Sequence, residues 1–426
     1  MNIKSNLSSK KIIVFFLDNS AGEVYVGLPI LWYIKKQMNV DIYFVSNNKN
    51  ILNKLKISKP YLKIMNEIGI LQFGTTKILF LLTKLFLKNE LILIMSCFSG
   101  MRIVDKFFYS ILRKSTMVYY PHAYTLLSID KNHNFTNYLN ERKEKFFDKF
   151  GRYSHLLSNT CLEDIYFKEK GWDLDRVHYV GALGYKEEWQ KNILKTFQKK
   201  LEINHLNIFI PLRDKHPIFL FEENYEYLLN SFLELFNQFP QHNFIVKFHP
   251  RQQNIEQYKN KLIELSNVEI SDKSPLEILQ VSDLTISVWS SILQDSASMG
   301  VPAIEFYRHS QKFPQIVKDE KGRSISLFYK YGFCRFIDNI EELTLYLKSM
   351  TKEKLHDMAK KQYDNLDKVF NISNIHTVTN LQEIVNKIYV ETQEKNLEKE
   401  KEKEKYLQEI IKNIFRVFYR KIINVK

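Results

Sequence analysis

Short β-rich apolar runs alternate with amphipathic stretches along almost the whole chain, and this alternation limits the fold more than any other feature. Runs at 12–17, 41–45, 91–95, 117–120 and 155–158 read as strands, with helical patterns at 24–36, 77–87 and 101–112 between them. A charged, helix-prone connector then leads into a second series. Its strands are expected at 207–211, 243–248, 268–270, 284–287 and 303–306, and its helices at 222–236, 256–265, 275–280 and 291–299. Such alternation implies a parallel sheet with helices on both faces. Two series in succession predict an α/β chain of two Rossmann-like domains facing across a cleft, where a ligand would bind. The expected divisions are 1–184, a connector at 185–205, a second domain at 206–390, and a charged spacer with a basic tail at 391–426.

The length of 426 residues suits two domains plus an extension, and 45% hydrophobic residues are enough for two cores. No repeat of fixed period is present, which argues against a solenoid. The formal net charge of +14 fits an anionic partner, such as nucleotide phosphates, acidic glycan or membrane headgroups, and equally fits a coding bias toward Lys, Asn and Ile. Lysines are scattered rather than grouped with aromatics along one groove, so a nucleic-acid partner is not expected. Cys97, Cys161 and Cys334 lie far apart, which fits a reducing cytoplasm. The most apolar stretch, 68–97, is broken by Lys77, Lys84, Lys88 and Glu90 and reads as a helix and a buried strand rather than a membrane span. After a Glu/Lys run, residues 406–426 place Ile, Phe and Val opposite Lys and Arg. This basic amphipathic helix predicts peripheral attachment to the cytoplasmic face of an inner membrane, or packing on protein.

Two segments of the second domain carry the strongest chemical signals. VKFHPRQ, at 246–252, places His249 just past a strand, where a parallel sheet opens its ligand crevice, and Pro250 ends the strand. A histidine there can donate to a phosphate oxygen, with Lys247 and Arg251 adding positive potential. SDLTISVWSSILQDSASMGVPAIEF, at 282–306, reads as strand, tight turn, helix and strand. Ser290 and Ser291 open the helix, either as its cap or as a phosphate contact, and one position serves both roles. Asp295 follows one turn later, placed for a ribose hydroxyl pair.

Other candidates are less constrained. In IPLRDKHP, at 210–217, Asp214 falls at a strand end as a possible general base or nucleophile, unless Arg213 holds it in an ion pair. In FLDNSAGEVYVGLP, at 16–29, Glu23 can face the cleft or simply favour a helix N-terminus. YYPHAYTLL, at 119–127, puts His122 after another strand, in a cleft position. The loop at 16–29 does not match GxGxxG, so a dinucleotide cofactor is not expected. No DxD pair stands at the end of an expected strand, so no metal is called for and the phosphate charge would be met by His249, Lys247 and the helix start.

KFHP followed about forty residues later by SVWSSILQDSASMGVP resembles the donor-binding half of bacterial capsule and wall-polymer transferases of the GT-B type. That group includes Kdo transferases, polysialyltransferases and CDP-glycerol or CDP-ribitol polymerases. The resemblance covers roughly 207–306 and implies that His249, Ser290 and Ser291 bind the donor's phosphate. It also implies a catalytic role for Asp214, by analogy with the Kdo-transferase-like members. The implied activity is transfer of a sugar or sugar-like acid from a nucleotide donor, CMP-linked first and CDP-linked next, to a glycan or glycolipid acceptor. The later segment also resembles non-hydrolysing UDP-N-acetylglucosamine 2-epimerases, with Ser290 and Ser291 in place of a glycine pair and Gln294–Asp295 matching Gln-Glu. This supports Asp295 as the ribose contact and leaves a UDP-sugar epimerase, or a CDP-glycerol or CDP-ribitol phosphotransferase, as the alternative.

Overall fold

The computed structural model describes residues 10–17, 21–54, 59–87, 90–97, 115–121, 154–163, 167–168, 173–194, 204–215, 220, 222–249, 252, 256–307 and 316–399. Two parallel sheets with flanking helices make up the chain, the α/β two-domain GT-B-like fold. The first domain carries β1 (Lys11–Phe16), α1 (Ala21–Gln37), β2 (Val40–Ser46), α2 (Ile51–Lys54), α3 (Lys59–Ile68), β3 (Ile70–Phe73), α4 (Thr75–Leu87) and β4 (Leu91–Cys97). It ends with β5 (Thr116–Tyr120), β6 (His155–Ser158) and β7 (Val177–Tyr179), and α5 (Glu187–Ile193) lies in the connector. The helix expected at 101–112, His122 and the basic tail lie outside the described residues.

The second domain begins with β8 (Asn207–Pro211), α6 (Glu222–Gln238), β9 (Asn243–Lys247), α7 (Glu256–Ile263), β10 (Val268–Ile270), α8 (Pro275–Leu279) and β11 (Leu284–Ser287). It continues through α9 (Ile292–Ser298), β12 (Ala303–Phe306), the β13–β14 hairpin (Ile316–Lys318 and Ser324–Ser326), α10 (Leu327–Lys330) and β15 (Arg335–Ile337). Helices α11 (Ile340–Lys348), α12 (Lys352–Phe370) and α13 (His376–Lys399) close the described chain.

The strand orders are β3-β2-β1-β4-β5-β6-β7 and β10-β9-β8-β11-β12-β15. Each reverses direction beside its first strand, between β1 and β4 and between β8 and β11, which is where a doubly wound sheet opens a crevice at its carboxyl edge. The central strands are apolar because both faces are covered: β1 is buried from Ile12 to Phe16, and β11 throughout. Helix α1 lies so close to β1 that a Cβ on Gly27 would stand 2.4 Å from the Phe15 ring. Only glycine permits that approach.

The last helix returns to the first domain. Tyr389 donates from its hydroxyl to the Ile12 carbonyl (2.9 Å), Thr392 to Thr116 Oγ1 (2.7 Å), and Lys11 Nζ to Asn386 Oδ1 (2.7 Å). α13 thus runs through residue 390 without a break and is strapped to the first sheet by these bonds. At the crossing, Gly181 has φ +64 and a Cβ there would meet the Phe370 carbonyl at 2.7 Å. No described helix is long and apolar enough to cross a membrane.

Candidate functional site

Between the domains lies a largely apolar cleft. The first domain supplies Gly22, Tyr25 and Val26 from α1 and Tyr61 from α3. Gly184, at the end of that domain, and Tyr185 and Trp189 of the connector continue the wall. The second domain supplies Ser274, Pro275, Leu276, Ser291 and Asp295. The aromatic wall is fixed by ring packing: Tyr25 to Tyr61 at 4.8 Å, Tyr61 to Trp189 at 6.3 Å and Trp189 to Trp32 at 5.7 Å.

The polar wall is fixed by local hydrogen bonds. Ser274 caps α8 in a reciprocal box, its Oγ accepting from the Glu277 N–H (3.4 Å) while Glu277 Oε2 accepts from the Ser274 N–H (3.0 Å). Pro275 fits the first helical turn because its missing N–H would be unused there. At α9 the two serines divide their work. Ser290 Oγ accepts from the Ile292 N–H (3.4 Å), whereas the Ser291 side chain makes no capping bond and lines the cleft. Asp295, one turn on, shares that face, where i,i+4 neighbours have their Cβ atoms about 5–6 Å apart. Farther along, Ser298 Oγ accepts from Gln190 Nε2 of the connector (3.0 Å).

Burial pushes the Asp295 carboxyl up to about 7, against the Tyr185 hydroxyl, which acts to lower it. Across the cleft, burial raises the Tyr25 phenol to about 12, and the negative charges of Asp295 and Glu277 add to that. An acid poised near neutrality beside a hydroxyl, in a mostly apolar cleft, can accept ribose hydroxyls or exchange a proton.

The remaining described sequence candidates are not among the residues that line this cleft. Lys247 ends β9, half-buried, and its carbonyl accepts from the Leu212 N–H (2.9 Å). His249 is exposed, in a turn closed by Gln252. Gln252 Oε1 accepts from the His249 N–H (3.2 Å), the Gln252 N–H donates to the His249 carbonyl (2.9 Å), and Gln252 Nε2 donates to the Tyr225 hydroxyl (2.7 Å). Asp214 is partly exposed, with Oδ1 accepting from the Lys215 N–H (2.9 Å). Arg213 donates from Nη1 to the Trp289 carbonyl. Glu23, in the first turn of α1, is 1% exposed. Among the described residues no group of three or more His, Cys, Asp and Glu is arranged to hold a metal ion.

The sequence reading passed over Tyr25, Tyr61, Tyr185 and the 274–276 turn. Only the last left a local signal, the Ser-Pro-Leu-Glu spacing of a capping box ahead of an apolar run.

No family model matches the chain, and no curated protein matches it significantly. Its fold has clear counterparts among solved structures. A putative UDP-N-acetylglucosamine 2-epimerase from Listeria monocytogenes superposes with a TM-score of 0.57 at 11% identity, over 90% of this chain and 98% of the other. UDP-GlcNAc 2-epimerase from Neisseria meningitidis, bound to UDP-GlcNAc, gives 0.53 at 13% identity, over 89% and 100%. The wall teichoic acid polymerase TagF, soaked with CDPG, gives 0.51 at 12% identity, over 89% of each chain.

Proposed function

We propose that the chain is a metal-independent glycosyltransferase that takes a nucleotide-activated sugar, CMP- or CDP-linked, and transfers it to a growing surface glycan or glycolipid. The observation that carries this reading is the shared face of α9, where Ser291 and Asp295 line one cleft a single helical turn apart. In this reading Ser291 and the adjoining turn meet the donor phosphate, Asp295 meets the ribose, and the 274–276 turn borders the base. Lys247 and His249 add positive charge and a donor at the neighbouring strand end as the glycosyl–phosphate bond breaks. Asp214 or Glu23 takes the proton of the acceptor hydroxyl. The acceptor is met at a membrane surface through the 406–426 tail.

A second reading, epimerisation of a UDP-sugar, is favoured by the end-to-end superposition on two 2-epimerases. A thermal-shift panel with CMP, CDP, UDP, GDP and NAD, run on the wild type, Asp295→Ala and His249→Ala, separates the two. A ligand at ~100 times its Kd adds ~2.7 kcal/mol of stability. Stabilisation by a cytidine nucleotide, lost in both variants, is the expected result. Stabilisation by UDP alone, with UDP-N-acetylglucosamine turned over in the absence of any acceptor, would replace the transferase reading by the epimerase one. No response to any nucleotide would remove both.

A further inference from the structure

We propose that Arg213 is a positioning residue that holds the donor-phosphate turn in a backbone conformation it would not otherwise keep; this rests on the donor-site reading above. Strands β8 and β11 are neighbours, with Phe209 in register with Thr285. Arg213 and Trp289 each lie four residues beyond that pair, so they leave the carboxyl edge of the sheet at the same height. There Arg213 Nη1 donates to the Trp289 carbonyl.

Trp289 needs a restraint. Its φ is +36, and among the described non-glycine residues only Asn371 shares a positive φ. Asparagine enters the left-handed region readily, whereas a bulky indole crowds its own backbone there. The guanidinium bonds its carbonyl, and the indole, 6% exposed, packs 5.2 Å from the Phe328 ring of α10. The indole contact acts on the side chain. The guanidinium holds the peptide itself.

The chain then passes directly to Ser290, whose hydroxyl caps Ile292, and to Ser291, which lines the cleft. Rotation of the Trp289–Ser290 peptide out of this conformation would re-aim the start of α9, and with it the place of Ser291 in the cleft wall. Burial lowers the Arg213 guanidinium to about 10, with Tyr307 acting against the shift, so the group remains charged at neutral pH. A charged donor on a carbonyl makes a stronger bond than a neutral one. Arg213 therefore sets the geometry of the turn and leaves one positive charge at the crevice edge, without needing to touch the ligand.

The test combines a structural readout with a binding one. In protein carrying 15N-labelled tryptophan, the Trp289 indole signal is assigned by its loss in Trp289→Phe. Arg213→Met is expected to move that signal, and to raise the Kd for CDP or UDP, whichever the wild type binds, by roughly ten- to a hundredfold, the loss expected for one charge-assisted hydrogen bond. Arg213→Lys, which keeps the charge and a single donor, is expected to restore most of the affinity. Far-UV circular dichroism checks that each variant is folded, and the lysine variant carries the test if the methionine variant is not. An indole signal that stays in place, or a Kd that does not change while the wild type binds, would overturn the proposal. A wild type that binds neither nucleotide would overturn the donor-site reading, and with it the role of Arg213 in serving that site.

Discussion

The two Rossmann-like units are alike in their sheets and unlike in what they turn toward each other. Both place their crevice beside the first strand, at β1 and at β8. The second domain meets the cleft with Ser274, Ser291 and Asp295, where Ser274 is held by a reciprocal hydrogen-bonded cap and Ser291 and Asp295 by their register on one short helix. The first domain meets it with Tyr25 and Tyr61 on helices, each held by the next ring. One wall is thus specified by local backbone chemistry and suited to a hydroxylated, charged ligand. The other is specified by tertiary packing and shapes the space.

The two walls should therefore fail differently. Tyr61 is 2% exposed and packs against both Tyr25 and Trp189. Tyr61→Ala leaves a cavity where the first domain meets the connector and is expected to cost about 3–5 kcal/mol, read as a fall in the denaturant midpoint. Ser291→Ala removes a hydroxyl that makes no capping bond, so its effect on stability is expected within about 0.5 kcal/mol. Equal losses from the two substitutions would erase the contrast.

The domains should also differ in the pH at which they weaken. Asp295, in the second, is raised from 3.8 to about 7. Between those values the folded protein keeps a proton that the unfolded chain has released, so stability falls as pH rises and the penalty is complete above about 7. His178, on β7 of the first, is lowered from 6.5 to about 4 by burial, with the charges of Lys387 and Arg176 adding to it. Its penalty develops in the opposite direction, as pH falls from 6.5 toward 4. Each pH unit of displacement is worth about 1.4 kcal/mol, and solvent reaching these partly buried groups reduces the sum, so about 1–2 kcal/mol is expected from each. Asp295→Asn should flatten the decline toward neutral pH and His178→Asn the decline toward acid, as measured by Tm against pH. A single substitution that removed both slopes would show that the domains do not titrate separately.

The same division governs how much could be read from the sequence. Strands such as Asn207–Pro211 and Leu284–Ser287 are buried on both faces, so each is a continuous apolar run that stands out from its surroundings. The short edge strand Ile70–Phe73 has no fully buried residue and was absorbed into the helix expected after position 68. Its apolar pattern is too brief to separate from its neighbour. Ser291 and Asp295 were legible as cleft residues because four residues of helix put them on one face wherever that helix packs. Tyr25, Tyr61 and Trp189 were not, because three distant segments supply them and no local spacing links them. The strap made by α13 was hidden for a related reason: its Glu/Lys-rich end reads as a solvated run, while Tyr389 and Thr392 reach the first sheet.

The smallest expected effect tests whether the polar wall is local in the sense argued above. Ser274 and Glu277 satisfy each other's backbone N–H groups, and both partners belong to one turn of four residues. Loss of such a cap costs about 1 kcal/mol because it orphans an N–H at a helix start. Ser274→Ala should therefore lower stability by about 1 kcal/mol, and Ser274→Asp, which can still cap, should recover most of it. The cap is closed within its own turn, so combining Ser274→Ala with Tyr25→Phe should give the sum of the separate changes, within about 0.5 kcal/mol. A larger coupling in that double-mutant cycle would show that the cap depends on the closed cleft, and the two walls would then be one structure rather than two.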